Sequence, residues 1–520
     1  MEEEVVNTSV TVGESLMPSL LPSKHAAALG LEYTATVSDE HKKLLGQFFT
    51  PFGLSSYLAS LATFGGAEAR LLDPGFGVGT LACALIERLV ELSPSLTTVY
   101  LDAYEIDEGV IPYSEMSLAY LNQWLAEQNI TLIFQLSSED FIMFFQAELA
   151  FALQPVTPRY DIVISNPPYF KVGADDQRNI LLGQRHLAQP NIYALFVVLA
   201  TLLTRQGGQL LFLIPRSFCS GLYFEQFRAF LYRHLKFEQF HLFHSREQAF
   251  EHNVLQESII FKATRIDEAG QVNYPLLVTS TVGTHDIDTA SLLPCTLRQV
   301  VDLTSREKVL FLPTTSSELV LINTFKTWRE RLGNFGVKVS TGPVVAFRTL
   351  DYLNVSASKG CIPLFWIDHV QRGTIKWPNK RNRQQYVLPV DGKPTTLLPV
   401  RNYVLLRRFS AKDDKHRLIA APFFSVKWDK YEKVGIENKI NYIYAEKGEL
   451  TDIFTAGLSA LLNSNLYNDF FRIFSGNTQV SATEIRSLPM PSSNEIASIG
   501  RQVMKNPKAL NSIVKSVLKH

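Results

Sequence analysis

Cysteine is scarce in these 520 residues: Cys83, Cys219, Cys295 and Cys361 stand far apart and no two form a CxxC pair. That spacing argues against a disulfide framework and a thiolate zinc site, and predicts reduced thiols in a cytoplasmic protein. Long apolar runs are missing as well. The most apolar one, Ile192 to Leu203, is 12 residues long and includes Tyr193 and Thr201. A membrane span needs roughly 20, so this run is expected to be a buried helix packed on a sheet. No secretory signal is expected, since Met1-Glu2-Glu3-Glu4 is acidic where such a signal would be basic. Net charge is absent only in sum. Residues 1–260 carry 15 Lys and Arg against 28 Asp and Glu, and residues 261–520 carry 35 against 22. The basic half suits contact with a polyanion.

What remains is an ordinary folded composition, 46% hydrophobic and 19% charged, with enough chain for about two to three domains. In the first half, short apolar runs alternate with helical patterns. Strands are expected at Ala69–Leu72, Val99–Tyr104, Thr131–Leu136, Tyr160–Ser165, Gln209–Ile214, Phe237–Phe243 and Ser258–Lys262. Helices are expected between them, at Leu81–Leu92, Met116–Gln128 and Ile192–Arg205. Such alternation predicts an α/β fold with a doubly wound, mostly parallel sheet. Ligands bind such sheets at the carboxyl ends of the strands.

Those ends carry the informative residues. The first strand runs into Asp73-Pro74-Gly75-Phe76-Gly77-Val78-Gly79-Thr80. Glycines there let the backbone turn sharply and approach a ligand, and the helix that follows offers unpaired N–H groups. The spacing is GxGxG after Asp-Pro, which departs from the GxGxxG dinucleotide fingerprint. The second strand ends at Glu105, a carboxylate able to accept hydrogen bonds from both hydroxyls of a ribose. The third ends at Asp140-Phe141, a carboxylate for an adenine amine beside a ring to cover it. The fourth runs into Asn166-Pro167-Pro168-Tyr169. Proline fixes the backbone and donates no hydrogen bond, which leaves carbonyls held in place and free to accept. The amide oxygen and a carbonyl can together receive both hydrogens of an exocyclic amine, and the tyrosine ring can stack on a flat heterocycle.

In this order, the motifs resemble those of the S-adenosylmethionine-dependent DNA methyltransferases of the amino-group class. The similarity is to N6-adenine enzymes of restriction-modification systems, with cofactor motifs N-terminal and the target-recognition domain C-terminal. Gly46-Gln47-Phe48-Phe49-Thr50-Pro51, Asn191-Ile192-Tyr193 and Ile214-Pro215-Arg216-Ser217-Phe218 extend the match over residues 44–265. The resemblance implies a Rossmann-like methyltransferase sheet followed by a mixed α+β domain. It implies cofactor contacts from Thr50, Asp73, Gly75, Gly77, Glu105, Asp140 and Phe141. Asn166, Pro167 and Tyr169 would hold the target base, and Phe250 would stack on its other face, with Phe243 as a competitor. The implied partners are double-stranded DNA and a restriction endonuclease on a separate chain. N4-cytosine methylation, a fused enzyme that also cuts DNA, and methylation of glutamine or ribosomal guanine are the alternatives. Only 45 residues precede Gly46, too few for a nuclease domain, and the last pair do not need a long basic second half. A covalent cysteine route is not expected, since neither Cys83 nor Cys219 follows a proline and Pro294-Cys295 lies outside the catalytic strands.

The expected organisation is an N-terminal extension (1–43), the catalytic domain (44–265), a connection (266–320) and a DNA target-recognition domain (321–520). In the last, basic and aromatic residues interleave: Arg348, Trp366, Arg372, Lys376-Trp377, Arg401, Arg407-Arg408 and Lys427-Trp428. Lys and Arg can neutralise phosphates, while Arg, Asn and Gln can read base edges. Residues 379–385 are dense in such side chains. Near the end, Leu461-Leu462-Asn463-Ser464 and Phe470-Phe471-Arg472 read equally as part of a recognition domain or as plain core.

Overall fold

The computed structural model describes the chain except for residues 1–19, 39, 42–48, 151–155, 245–257, 267–272, 349–351, 356, 358–359, 380–383, 389–396, 411–414, 476–478 and 520. It divides into two compact units. One comprises Met1–Ile214, Arg233–Phe237 and Ile260–Ala269, and the other Pro215–Tyr232, Glu238–Ile259 and Gly270–His520.

The first unit opens with helices α1 (Pro22–Thr36) and α2 (Phe52–Ser60). Strand β1 (Glu68–Asp73) follows, then α3 (Thr80–Leu92), β2 (Thr98–Tyr104), α4 (Ile111–Ala126) and β3 (Thr131–Ser137). Two short helices, α5 (Phe141–Phe144) and α6 (Gln146–Ala150), lead to β4 (Tyr160–Ser165). Then come α7 (Gln177–Gly183), α8 (Ile192–Leu203) and β5 (Thr204–Pro215). Further along the chain come β6 (Leu235–Phe243), β7 (Ser258–Arg265), β8 (Pro275–Thr281) and β9 (Ser291–Thr296), and in the first unit the strands stand in the order β3-β2-β1-β4-β5. All seven expected strand runs lie inside β1 to β7.

The stretch β3-β2-β1-β4-β5 is parallel throughout. The chain winds from β1 outward to β2 and β3, then returns to the other side of β1 for β4 and β5. Loops leaving β1 and β4 therefore diverge, which opens a crevice at their carboxyl ends. Asp73 ends β1 and Asn166 follows the last residue of β4.

Burial explains the elements around that crevice. All six residues of β4 are buried, as expected for a central parallel strand covered on both faces. In α8 only Leu202 is not fully buried, so the 12-residue apolar run is a core helix. It stops at Leu203, two residues earlier than expected. The Thr204 hydroxyl bonds back to the Ala200 carbonyl at 2.7 Å and satisfies an acceptor left open at the helix end. Helix α4 starts earlier than expected, at Ile111, because Pro112 fits its first turn, where no N–H is needed. Helix α1 is fastened to α3 by Glu87, which accepts from Ser23 N–H at 2.6 Å and Ser23 O–H at 2.7 Å.

In the second unit, Val337–Thr341, Ile440–Ala445, Tyr403–Arg407 and Ala420–Phe423 form a four-stranded antiparallel sheet. A second, five-stranded sheet is built from short segments. Helices Asp452–Asn463 and Ser493–Lys505 cross in close contact. A Cβ on Gly457 would lie 2.0 Å from the Ile496 carbonyl oxygen, and one on Gly500 2.0 Å from that of Ile453. Only glycine permits that approach. Leu461, Leu462, Phe470 and Phe471 are core. Asn463 is spent on the backbone of Ala420, donating to its carbonyl at 2.7 Å and accepting its N–H at 2.9 Å.

Candidate active site

One cavity lies along the carboxyl ends of β1 to β4. Thr50, Gly75, Gly77, Glu105, Asp140, Phe141 and Asn166 all line it. Seven residues singled out from motifs spread over 117 positions thus line one cavity: six of them end or follow strands of the same parallel sheet, and Thr50 is brought there from the segment just before α2.

Asp73 lies behind this wall and is fully buried. The Gly75 N–H donates to its Oδ1 at 3.3 Å, while Oδ2 has no partner among the described residues. Burial pushes its carboxyl up to about 8. The Gly75 N–H opposes that rise and the Glu105 carboxyl adds to it. The Thr80 hydroxyl, on the cavity wall, is likewise buried without a partner. A buried acceptor and a buried hydroxyl, each without a partner among the described residues, leave hydrogen-bonding capacity for a ligand.

Glu105 follows β2 directly. Its Oε2 accepts the Gly77 N–H and its Oε1 the Asp107 N–H, both at 2.8 Å. Burial pushes its carboxyl up to about 7, and the two N–H groups hold it from going further. Each oxygen keeps a lone pair that a ribose hydroxyl can reach. Asp107 is in turn held by the Tyr33 hydroxyl at 2.6 Å and by His41 at 2.9 Å. Gly79 caps α3 in the left-handed region, at φ +84°. A side chain there would drive its Cβ to 2.4 Å from the Phe76 ring, so the loop requires glycine.

Asp140 was expected to accept an adenine amine, and both its oxygens already have partners. Oδ1 caps α5 by accepting the Ile142 and Met143 N–H groups at 2.9 and 3.1 Å. Oδ2 accepts from Arg178 Nη1 at 3.2 Å. Arg178 also pairs with Asp176 at 2.6 Å and sits 5.4 Å from the centre of the Phe170 ring. Arg178 and Phe170 both line the cavity. Neither was singled out from the sequence, and Arg178 carries no local signal, since its role comes from a contact 38 positions away. Ile106, 52% exposed on the cavity wall, was also passed over. The sequence shows only that an apolar residue follows Glu105; its exposure comes from the fold. Phe49 and Phe196 add apolar wall.

At the end of β4, the side-chain amide of Asn166 contacts Thr50 Oγ1 at 3.1 Å and the Tyr169 hydroxyl on its other side. That hydroxyl also reaches the Leu213 carbonyl at 2.9 Å. Pro168 lines the cavity next to Asn166. Phe250 lies outside the described residues. Phe243 is buried at the end of β6, with its ring edge against His241 at 4.6 Å. The four cysteines are buried, and no disulfide joins them. Burial pushes the Cys295 thiol up to about 11 and raises that of Cys83 as well, which disfavours a nucleophilic thiolate at either.

The basic residues of the second half are largely engaged within their own unit. Arg372 donates to the Asn463 carbonyl at 2.6 Å, Arg407 to Val370 at 2.7 Å and Arg408 to Asn438 at 3.1 Å. Trp366 Nε1 donates to the Gln384 carbonyl at 2.5 Å, and Gln385 accepts the Asn379 N–H at 2.5 Å. Arg381, Asn382 and Arg383 lie outside the described residues. Lys376 and Lys427 are exposed.

Comparison with known proteins fits this arrangement. Residues 91–250 match the Eco57I restriction-modification methylase family. The chain is 32% identical to the type II methyltransferase M.BsuBI of Bacillus subtilis over 473 residues, which is 90% of this chain and 91% of that protein. It is 31% identical to the type II methyltransferase M.PstI of Providencia stuartii over the same shares. Among solved structures, the type IIL restriction-modification enzyme MmeI, in complex with DNA, has the same fold at 11% identity. That match has a TM-score of 0.53 and covers 95% of this chain and 72% of that one.

Proposed function

Because the chain belongs to the type II methyltransferases of restriction-modification systems, we propose that it methylates N6 of a flipped-out adenine in a specific DNA sequence, using S-adenosylmethionine. The modification would protect that sequence from a restriction endonuclease on a separate chain. The observation that carries the adenine reading is Asn166, placed just past β4 and on one cavity wall with Glu105, Gly75 and Asp140.

The donor set fits the cofactor. Asp73 Oδ2 is an open buried acceptor, Glu105 has lone pairs for a ribose, and Ile106, Phe141 and Phe196 offer apolar surface for a flat ring. Bound S-adenosylmethionine supplies a methyl group on a positive sulfur, so no covalent protein nucleophile is needed. The chain's work is positioning and electrostatics. Flipping the target nucleotide costs a few kcal/mol. Stacking on Tyr169 would offset about 1–3 kcal/mol of that, and Phe250 is assigned to the opposite face. The Asn166 amide oxygen and the Pro167 carbonyl accept the two amine hydrogens and localise the nitrogen lone pair. That lone pair would be held toward the methyl group that bound S-adenosylmethionine would supply.

The assigned roles also include Thr50 and Gly77 at the cofactor and residues 321–520 in target recognition. The test is Asn166→Ala with DNA and radiolabelled cofactor. Transfer should be abolished while cofactor binding is kept, and in the unaltered enzyme the label should sit on adenine. Label on cytosine N4 would move the assignment to the other exocyclic amine.

A further inference from the structure

Asp140 stands on the cavity wall with most of its accepting capacity already spent. Oδ1 takes the Ile142 and Met143 N–H groups, and Oδ2 takes Arg178 Nη1. A carboxylate has about four lone-pair positions, so among the described residues one is left, on Oδ2. Its direction is set by Arg178, and Arg178 is itself held. Asp176 caps α7 by accepting the Arg178 backbone N–H at 3.0 Å. The two oxygens of Asp176 also take Nε at 2.8 Å and Nη2 at 2.6 Å. A planar guanidinium gripped along that edge is fixed in its plane, and Nη1 is the end left to reach Asp140. The segment behind it is tied down too. Asn179 donates to the Gly173 carbonyl at 3.0 Å and accepts the Gln189 N–H at 2.8 Å. The Ile192 N–H bonds to the Phe170 carbonyl at 3.0 Å.

We propose that Arg178 is a positioning residue for the cofactor's adenine, acting through Asp140, and that it makes the site select for an amine on the purine. This rests on the S-adenosylmethionine reading and deepens it. The guanidinium spans two carboxylates, Asp176 and Asp140, and balances one of their two negative charges. It turns Asp140 from a mobile acid into a fixed acceptor with a single open direction. One hydrogen of an exocyclic amine satisfies that direction. A purine with only hydrogen on the same carbon leaves a charged acceptor without a donor. Lysine would not do the same work. An ammonium is a point charge on a flexible stem, and it cannot grip Asp176 along two bonds while reaching Asp140. Asp140 and Arg178 both line the cavity, together with Phe141 and Phe170. The selecting group and the apolar surface for the ring therefore share one site.

The test is binding calorimetry on the full-length enzyme with two ligands. One is S-adenosylhomocysteine, the cofactor without its methyl group. The other is the same compound with hydrogen in place of the purine amine. The parent should bind the first at least about tenfold more tightly, the value of one hydrogen bond to a charged group. Arg178→Met should cut that preference to about threefold or less, mainly by weakening the amine-bearing ligand. Arg178→Lys should fall into the same range. A parent-like preference in Arg178→Met would overturn the proposal, even where both affinities drop together, because a merely structural role does that. Full preference in Arg178→Lys would overturn it as well, since charge alone would then suffice. So would a parent that binds both ligands equally, since Asp140 would then not meet the amine. If Arg178→Met fails to fold, Arg178→Lys carries the test with the same outcomes. A parent that binds neither ligand would sink the cofactor reading itself, which separates that failure from this one.

Discussion

The two halves of this chain put similar polar residues to different uses. In the first unit, acids and amides chosen from short motifs converge on one cavity. In the second, arginines chosen for phosphate contact donate to backbone carbonyls of their own unit. The difference is geometric. A residue at the end of a parallel strand has its position set by the strand, so a motif there is a coordinate. An arginine on a six-atom arm takes whatever acceptor lies near it, and only the tertiary fold says which. Charge segregation therefore signals a polyanion partner without marking which cations touch it.

The largest effect expected is at Asn166. Asn166→Ala should abolish methyl transfer, a loss beyond the roughly two to three orders of magnitude typical of removing one preorganised group that acts on developing charge, with cofactor affinity retained in calorimetry. If an alanine in the second unit, at Arg407 for example, cost as much in single-turnover rate with DNA saturating, the contrast would break.

Backbone crossings should cost stability more than chemistry. Gly457→Ala forces a Cβ to 2.0 Å from a carbonyl oxygen. It should lower stability by about 2–4 kcal/mol, within the range of overpacking changes, as read by chemical denaturation.

Arginine and lysine in the second unit should separate cleanly. Arg407→Gln loses a charged hydrogen bond to Val370, worth about 1.5–3 kcal/mol, and should lower the unfolding midpoint. Exposed Lys376→Ala should leave stability alone and, if it meets a phosphate, lower the salt slope of DNA binding by about one. A reversal of these two outcomes would mean the carbonyl contacts do not mark the structural arginines.

The smallest effect is a pH trend. Asp73 and Glu105 are pushed by burial to about 8 and about 7, well above the roughly 4 of an unfolded carboxylate. The folded protein therefore holds protons that the unfolded chain has lost. The contribution of these groups to stability is full below about pH 4 and is lost as pH rises toward 8. Apo-protein melting should show that decline, and Asp73→Asn should flatten it. Affinity for the cationic cofactor should move the other way, rising with pH over the same window with proton release. An affinity independent of pH would mean neither carboxyl faces the positive end.

Much of the first unit was legible because period and punctuation agree there. The expected run Tyr160–Ser165 is the strand β4 without adjustment, and the prolines after it end the strand for a reason visible in the letters. Glu105 was legible from its place after β2. Arg178 was not, since its meaning arises from Asp140, Asp176 and the Phe170 ring meeting in space. The Thr50 contact with Asn166 spans 116 positions and likewise has no local trace. In the second unit Asn463 read as part of a recognition segment or as core, and its two bonds to Ala420 put it in the core.

The most direct measurement is single-turnover transfer from labelled S-adenosylmethionine to DNA by the parent enzyme and Asn166→Ala, with the modified base identified by nucleoside analysis. The expected result is N6-methyladenine from the parent and none from the variant at equal cofactor occupancy. Methylation that persists in Asn166→Ala, or a product on any atom but adenine N6, would contradict the account.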